Sequence, residues 1–235
     1  MNYTPRKMLL TPALMTCLCA ASATSWGAPT VFFDRDDNSG FMSSFPQSQA
    51  AFDQFTAALQ SFGVATIDDA VGVNPTLAFG DSGITAETQG VAAQAAPGFS
   101  IGTQALLELD AVGAPQVDTV FTFNQYVTAF GLFVIQGGDG ANDNPMTFRL
   151  KDTATDLFVD VPVQVGPGWG QSNVFFVGLA DTTPFNRVEI YEAVDFNDGL
   201  LMDNVVAGQY VPEPSAATLV TLLGASLCGR GRRRD

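Results

Sequence analysis

Apolar and polar residues alternate over short runs through most of the chain, and that period of two predicts strands. Val31-Phe32-Phe33 opens the series, and Val64–Ile67, Ile84–Thr88 and Ala105–Leu109 follow. Val117–Phe123 and Val127–Ile135 are the two strongest β patterns. Met146–Leu150, Leu157–Val163, Val174–Leu179, Arg187–Tyr191 and Leu200–Ala207 complete it. Gly, Pro, Asn and Asp punctuate every gap, as in Gln136-Gly137-Gly138-Asp139-Gly140. Such residues set tight turns. One stretch has the helical period instead. Ser44-Phe45-Pro46-Gln47 has the form of a capping box with Pro in the first turn. Ala51, Phe52, Phe55, Ala58, Leu59 and Phe62 follow on one face, and Gly63 stands where a left-handed C-terminal residue is needed. The expected fold is all-β: a single antiparallel β-sandwich with one short N-terminal helix. No internal repeat is visible, so one domain is expected over 29–210.

The two ends break the pattern. Arg6 and Lys7 precede the mostly apolar run Met8–Ala20, and the small residues Ala21-Ser22-Ala23 follow. Basic, apolar, small is the order of a secretory signal peptide, expected over 1–28 with cleavage after Ala23 or Ala28. At the other end Val211-Pro212-Glu213-Pro214 leads into Ser215–Cys228, 14 residues without a charge, and then into Arg230, Arg232, Arg233 and Arg234. As a helix that run is about 21 Å long, short of the roughly 30 Å hydrocarbon core. Arginines at its end can snorkel and extend it.

Composition narrows the function classes. The net charge is −14, and six of the ten basic residues lie in the two ends. Only Arg35, Arg149, Lys151 and Arg187 remain between them, against 22 acidic residues. Nucleic acid is excluded as a partner, because its phosphates need lysine and arginine. There is no His, and Cys17, Cys19 and Cys228 all lie in the end segments. Disulfides, His-dependent triads and thiol chemistry therefore do not enter the central region.

The order Pro-Glu-Pro, short apolar helix, terminal arginine cluster resembles the PEP-CTERM sorting signal of exported bacterial proteins. The match rests on Pro212, Glu213, Pro214, Arg230, Arg232, Arg233 and Arg234 over 211–235. The resemblance implies an exosortase and a signal peptidase as processing partners. It implies a transient C-terminal membrane anchor and a final place at the cell surface or in the extracellular matrix. The middle of the chain resembles the jelly-roll domains of secreted carbohydrate-binding modules, through the early helix, the strand series and Asp198-Gly199-Leu200-Leu201-Met202-Asp203-Asn204-Val205.

Three chemistries are open. Calcium takes six to eight oxygens from carboxylates, amides and carbonyls. Asp34-Arg35-Asp36-Asp37-Asn38, the loop Asp139–Asn144, and Asp195, Asn197 and Asp198 with Asp203 supply such groups. The first run is not an EF-hand, because Ser39 and Phe45 stand where Gly and Glu belong. The jelly-roll resemblance implies a structural Ca²⁺ shared by Asp34 and Asp203. A sugar platform is the second chemistry. Trp169 sits in a Gly-rich turn beside Gln171, Ser172 and Asn173, with Tyr126 and Tyr191 also available, whereas the Phe residues on strand patterns read as core. Paired carboxylates for glycoside hydrolysis are the third, with Glu189 and Glu192 as the possible pair. Nothing in their surroundings marks either as a catalytic acid. The reading is an exported, noncatalytic protein that binds or organises extracellular polysaccharide. A purely structural surface protein and a glycan-active hydrolase are the alternatives.

Overall fold

Eleven antiparallel strands make the fold, in a computed structural model that describes residues 27–37, 44–96, 100–109, 117, 119–136, 146–165, 173–191 and 201–212. In chain order they are β1 (Thr30–Asp36), helix α1 (Pro46–Ala57), β2 (Leu59–Ala65), β3 (Thr76–Ala78), β4 (Thr85–Gln89), β5 (Val91–Ala95) and β6 (Gln104–Glu108). Then come β7 (Thr119–Gln136), β8 (Met146–Asp152), β9 (Leu157–Val163), β10 (Asn173–Tyr191) and β11 (Leu201–Tyr210). The expected all-β, jelly-roll-like sandwich with one short helix is the observed architecture.

Two strands are longer than their sequence patterns suggest. The expected pairs Val117–Phe123 with Val127–Ile135, and Val174–Leu179 with Arg187–Tyr191, each fuse into one strand, β7 and β10. Both strands bend where their mutual register shifts, between Ala180 and Phe185 on β10. Pro184 lies in that bend, where its missing N–H costs no ladder bond. Each strand thereby serves both layers of one continuous 11-stranded sheet, a first and a second sheet joined through these bends. In the first sheet, β1 pairs with the first half of β10, which pairs with the second half of β7. That half of β7 pairs with β11, and β11 carries β2 and β6 with β5 beyond. In the second sheet the order is β3, β4, first half of β7, second half of β10, β8, β9.

Burial explains why the doubled strands are so apolar. Phe130, Leu132 and Val134 of β7 and Phe175, Val177 and Leu179 of β10 face inward onto the second sheet. They meet Phe121, Phe148, Leu150 and Val188 there. The alternate residues Ala129, Phe133 and Ile135, with Val174, Phe176 and Ala180, face outward and are buried too. Helix α1 covers them with Ala51 and Phe55. The first sheet is thus packed on both faces, and its central strands read as continuous apolar runs for that reason.

The helix forms where expected but is held differently. Neither the Ser44 nor the Phe45 side chain caps it. Asp36, at the end of β1, accepts the amides of Gln47 (3.1 Å) and Ser48 (2.8 Å) and is itself 5% exposed. A carboxylate at this position also meets the positive end of the helix dipole. The helix stops at Ala57, and Leu59 already pairs with Tyr210. Leu59, Phe62 and Gly63 therefore belong to β2, not to a helical stripe and its cap. Gly63 is needed there because a Cβ would strike the Phe79 carbonyl. The short strands β3 and β5 were not legible as patterns, and β2 begins five residues before its expected start.

One register row fixes the geometry used below. Thr30, Ala180, Ala129, Gly208 and Phe62 lie side by side across five strands at one end of the first sheet. At the other end Asp36, Val174, Ile135, Leu201, Leu107 and Ala92 form a second row, with Val73 bridged to Ala92.

Candidate functional site

The outer face of the second sheet gathers the scarce cations. Alternation turns Phe148, Leu150, Val161, Val188 and Ile190 into the core, so Arg149, Lys151, Phe158, Asp160, Arg187, Glu189 and Tyr191 point away from it. Register sets them in rows. Phe158, Lys151, Arg187, Thr122 and Glu87 form one, and Asp160, Arg149, Glu189 and Val120 form the next. Three of the four basic residues of the central region are on this face.

Arg149 is its centre. Its guanidinium donates two bonds to Asp160, at 2.7 and 3.0 Å, in the bidentate form that suits a planar fork. It donates a third to the Tyr191 hydroxyl at 2.8 Å and lies 3.8 Å from Glu189. Its carbon sits 4.1 Å from the centroid of Phe158 and 4.9 Å from that of Tyr191, a cation held by two rings. Tyr191 donates to Glu189 at 2.6 Å, and Arg187 donates to its other oxygen at 2.7 Å. Lys151 pairs with Asp156 at 2.6 Å.

These contacts fix the charge states. Burial pushes the Glu189 carboxyl up, but the hydrogen bonds from Tyr191 and Arg187, with the charges of Arg187 and Lys151, outweigh it and hold it below its ordinary value. Burial and the bond to Glu189 raise the Tyr191 phenol to about 12. The bond to Asp160 raises Arg149 further. Glu189 is thus an ionised acceptor with both oxygens filled. A general acid needs the opposite, a carboxyl kept protonated near neutral pH. What the face offers is a rigid, nearly charge-balanced surface with ring area and fixed polar groups. Phe158 remains 48% exposed on it.

Phe158, which its strand pattern reads as core, is exposed instead. It lies on β9, an edge strand, at an outward position between Leu157 and the inward Val159. Arg149 and Asp160 carry no motif. Only the alternation of Met146–Asp152 and Leu157–Val163 hints that they share a face.

Other expected site residues lie elsewhere. Asp34 is exposed on β1, and Asp203 is buried on β11. They share one register row, Asp34–Phe176–Phe133–Asp203, with two strands between them. At a strand spacing of roughly 4.8 Å they stand about 14 Å apart, too far for one ion bound at about 2.3–2.6 Å. The shared Ca²⁺ does not fit this pair. Asp203 instead accepts the amides of Ile101 and Asn204, each at 2.7 Å, beside the bulge where Asn204 takes a positive φ. Burial raises its carboxyl above the ordinary value, against those bonds. Asp36 caps α1, and Asp37 pairs with Arg35. Among the described residues no group of three or more acidic, His or Cys side chains is placed to hold a metal. Tyr126 is exposed and donates to Asp152 at 2.7 Å. Trp169, Glu192, the Asp139–Asn144 loop and Asp195, Asn197 and Asp198 lie outside the described residues. So do Glu213, Pro214 and the four terminal arginines. Pro212 is described and exposed.

No protein-family model matches the chain, and no curated protein matches it. Among solved structures it is similar to carbohydrate-binding modules. A variant of CBM29-2, a family 29 module, is 11% identical at a TM-score of 0.35, covering 63% of this chain and 94% of that one. Another CBM29-2 variant, complexed with mannohexaose, is 11% identical at 0.36, covering 63% and 93%. The CBM22-1-GH10 modules of a Clostridium thermocellum xylanase, complexed with xylohexaose, are 13% identical at 0.38, covering 66% of this chain and 29% of that one.

Proposed function

We propose that this chain is an exported, noncatalytic glycan-binding protein of the cell surface or extracellular matrix, and that it reads extracellular polysaccharide on the outer face of the second sheet. The observation that carries the reading is the Phe158–Arg149–Tyr191 stack, locked by Asp160 and Glu189. A sugar ring has apolar faces edged by hydroxyls. An exposed aromatic beside fixed donors and acceptors suits both parts, and binding does not cost the ordering of those side chains. The saturated state of Glu189 supports binding over hydrolysis. Export rests on the basic–apolar–small N-terminus and on the Pro-Glu-Pro, apolar, arginine order of the tail, with signal peptidase and an exosortase as the processing partners.

Affinity electrophoresis through gels containing neutral or acidic polysaccharide tests the reading. Phe158→Ala is expected to weaken retention at least tenfold while leaving the circular dichroism unchanged. If Phe158→Ala is retained like the parent while Trp169→Ala is not, the site belongs to the Trp169 loop instead. No retention on any polysaccharide would leave a structural surface protein.

A further inference from the structure

The outer face of the second sheet is cationic out of proportion to the chain. Arg149, Lys151 and Arg187 are three of the four basic residues between the two ends, set against 22 acidic ones. Sugar hydroxyls alone do not call for such charge, because amides and carboxylates meet them as well. Arg149 is taken up by Asp160 and Tyr191. Lys151 and Arg187 are not committed in that way. They are register partners on β8 and β10, so two like charges stand directly opposite each other on neighbouring strands. That arrangement is unfavourable unless it is compensated. The compensation here is partial. Arg187 engages Glu189 through Nε at 2.7 Å, and among the described residues no acceptor meets its two terminal nitrogens. Lys151 pairs with Asp156, whose side chain is 84% exposed. An ion pair so open to water contributes little, and another carboxylate can replace it.

The same register row places the half-exposed Phe158 ring next to Lys151, with Arg187 beyond it. At roughly 4.8 Å per strand the row from Phe158 to Arg187 is about 10 Å long, a span that a disaccharide covers. Glu189, itself held by Tyr191 at 2.6 Å, fixes the Nε edge of Arg187 and leaves the terminal nitrogens to a ligand. We infer that Lys151 and Arg187 form a carboxylate subsite on this face, and that the glycan read there carries uronate groups. This rests on the reading of the face as a glycan-binding surface. A guanidinium fork beside an ammonium suits a planar carboxylate. One such pair holds single carboxylates along a sugar chain, and it does not match the unbroken phosphate charge of a nucleic acid. The acidic remainder of the chain repels a polyanion at long range. Screening over roughly 8 Å at physiological salt confines that repulsion, so the subsite acts at contact distance.

The test is affinity electrophoresis through matched gels. Mannan, amylose and hydroxyethylcellulose are each used in the neutral form, with C6 oxidised to the carboxylate, and sulfated. The runs contain about 0.15 M salt, and EDTA removes divalent cations that could bridge two carboxylates. On at least one backbone the oxidised form should retain the chain at least fivefold more strongly than the neutral form. Lys151→Gln should cut that ratio at least threefold, and it leaves only the exposed Asp156 without its partner. Arg187→Gln, checked for the parent circular dichroism, should do the same. Equal or stronger retention on the neutral forms, lost in Phe158→Ala, overturns the subsite and keeps the glycan face. A preference for oxidised forms that survives both substitutions also overturns the subsite. Stronger retention on the sulfated form of the same backbone overturns the assignment to carboxylates. No retention on any gel overturns the subsite and the glycan face together.

Discussion

Gly178 and Gly131 stand side by side on β10 and β7, beneath helix α1. A Cβ on Gly178 would come 2.6 Å from the Phe55 ring, which is fully buried, so neither ring nor strand can give way cheaply. Gly178→Ala should therefore cost about 1–3 kcal/mol, the usual penalty for overpacking. A urea titration would show it as a lower midpoint at unchanged slope. Tyr191 makes a second prediction at this scale. Its phenol is raised from the ordinary 10.0 to about 12 by burial and by its bond to Glu189. Between those two values the unfolded chain has lost the proton that the folded chain keeps. Stability must then fall as pH rises from about 10 to about 12. Phenolate absorbance should show a last phase near 12, and Tyr191→Phe should remove it. If no tyrosine titrates that late, the Glu189 bond is not formed in solution.

At the scale of the element, α1 is a 12-residue helix whose N-terminus is capped from a different strand. Asp36 serves two amides and the Ser48 hydroxyl at once. Asp36→Ala should cost about 1–2 kcal/mol, as cap removals do, and the loss should fray the first turn. Hydrogen exchange at Gln47 and Ser48 would speed up while β4 and β8 amides stay protected. Uniform acceleration across the molecule would mean that Asp36 supports the sandwich generally and not the helix end. The boundary between α1 and β2 follows the same logic. The apolar period continues through Phe62, yet pairing with β11 takes over from Leu59 because backbone bonds to a neighbouring strand satisfy more groups than one further turn.

Across the whole molecule, the two sheets are joined by the bends of β7 and β10 on one side and need closure on the other. Arg35, on the edge strand β1, donates to the Val165 carbonyl just past β9 at 2.6 Å and pairs with Asp37. It ties the open edges of the two sheets. Arg35→Ala is expected to cost about 1.5–3 kcal/mol, the worth of a hydrogen bond from a charged group. It should raise exchange in β1 and β9 before the central strands respond. An effect confined to Asp37 would show that the sheets hold together without it.

The alternation of Leu157–Val163 and Met146–Asp152, and the continuous apolar runs of Val127–Ile135 and Val174–Leu179, were enough to announce an all-β sandwich. Period-two burial is local and needs no knowledge of the partner strand. The helix at Pro46 was legible because its apolar spacing is local as well. Its cap was not, since Asp36 lies ten residues earlier and acts through space. The fusion of neighbouring runs into β7 and β10 depended on the paired bend at Ala180–Phe185, a long-range register event. The separation of Asp34 from Asp203 came from strand order, which no single segment encodes. The face of Arg149, Phe158, Asp160, Glu189 and Tyr191 is built from the consecutive strands β8, β9 and β10, whose order across the sheet, with β8 between β10 and β9, is set by pairing. The sequence by itself showed that most of the chain is strand with period-two burial and that one helix lies near Pro46; which side of β9 is buried, and so the exposure of Phe158, came from packing. Only the tertiary structure decided which strands lie next to one another, because pairing is chosen by the packing of the whole sandwich and not by any one segment.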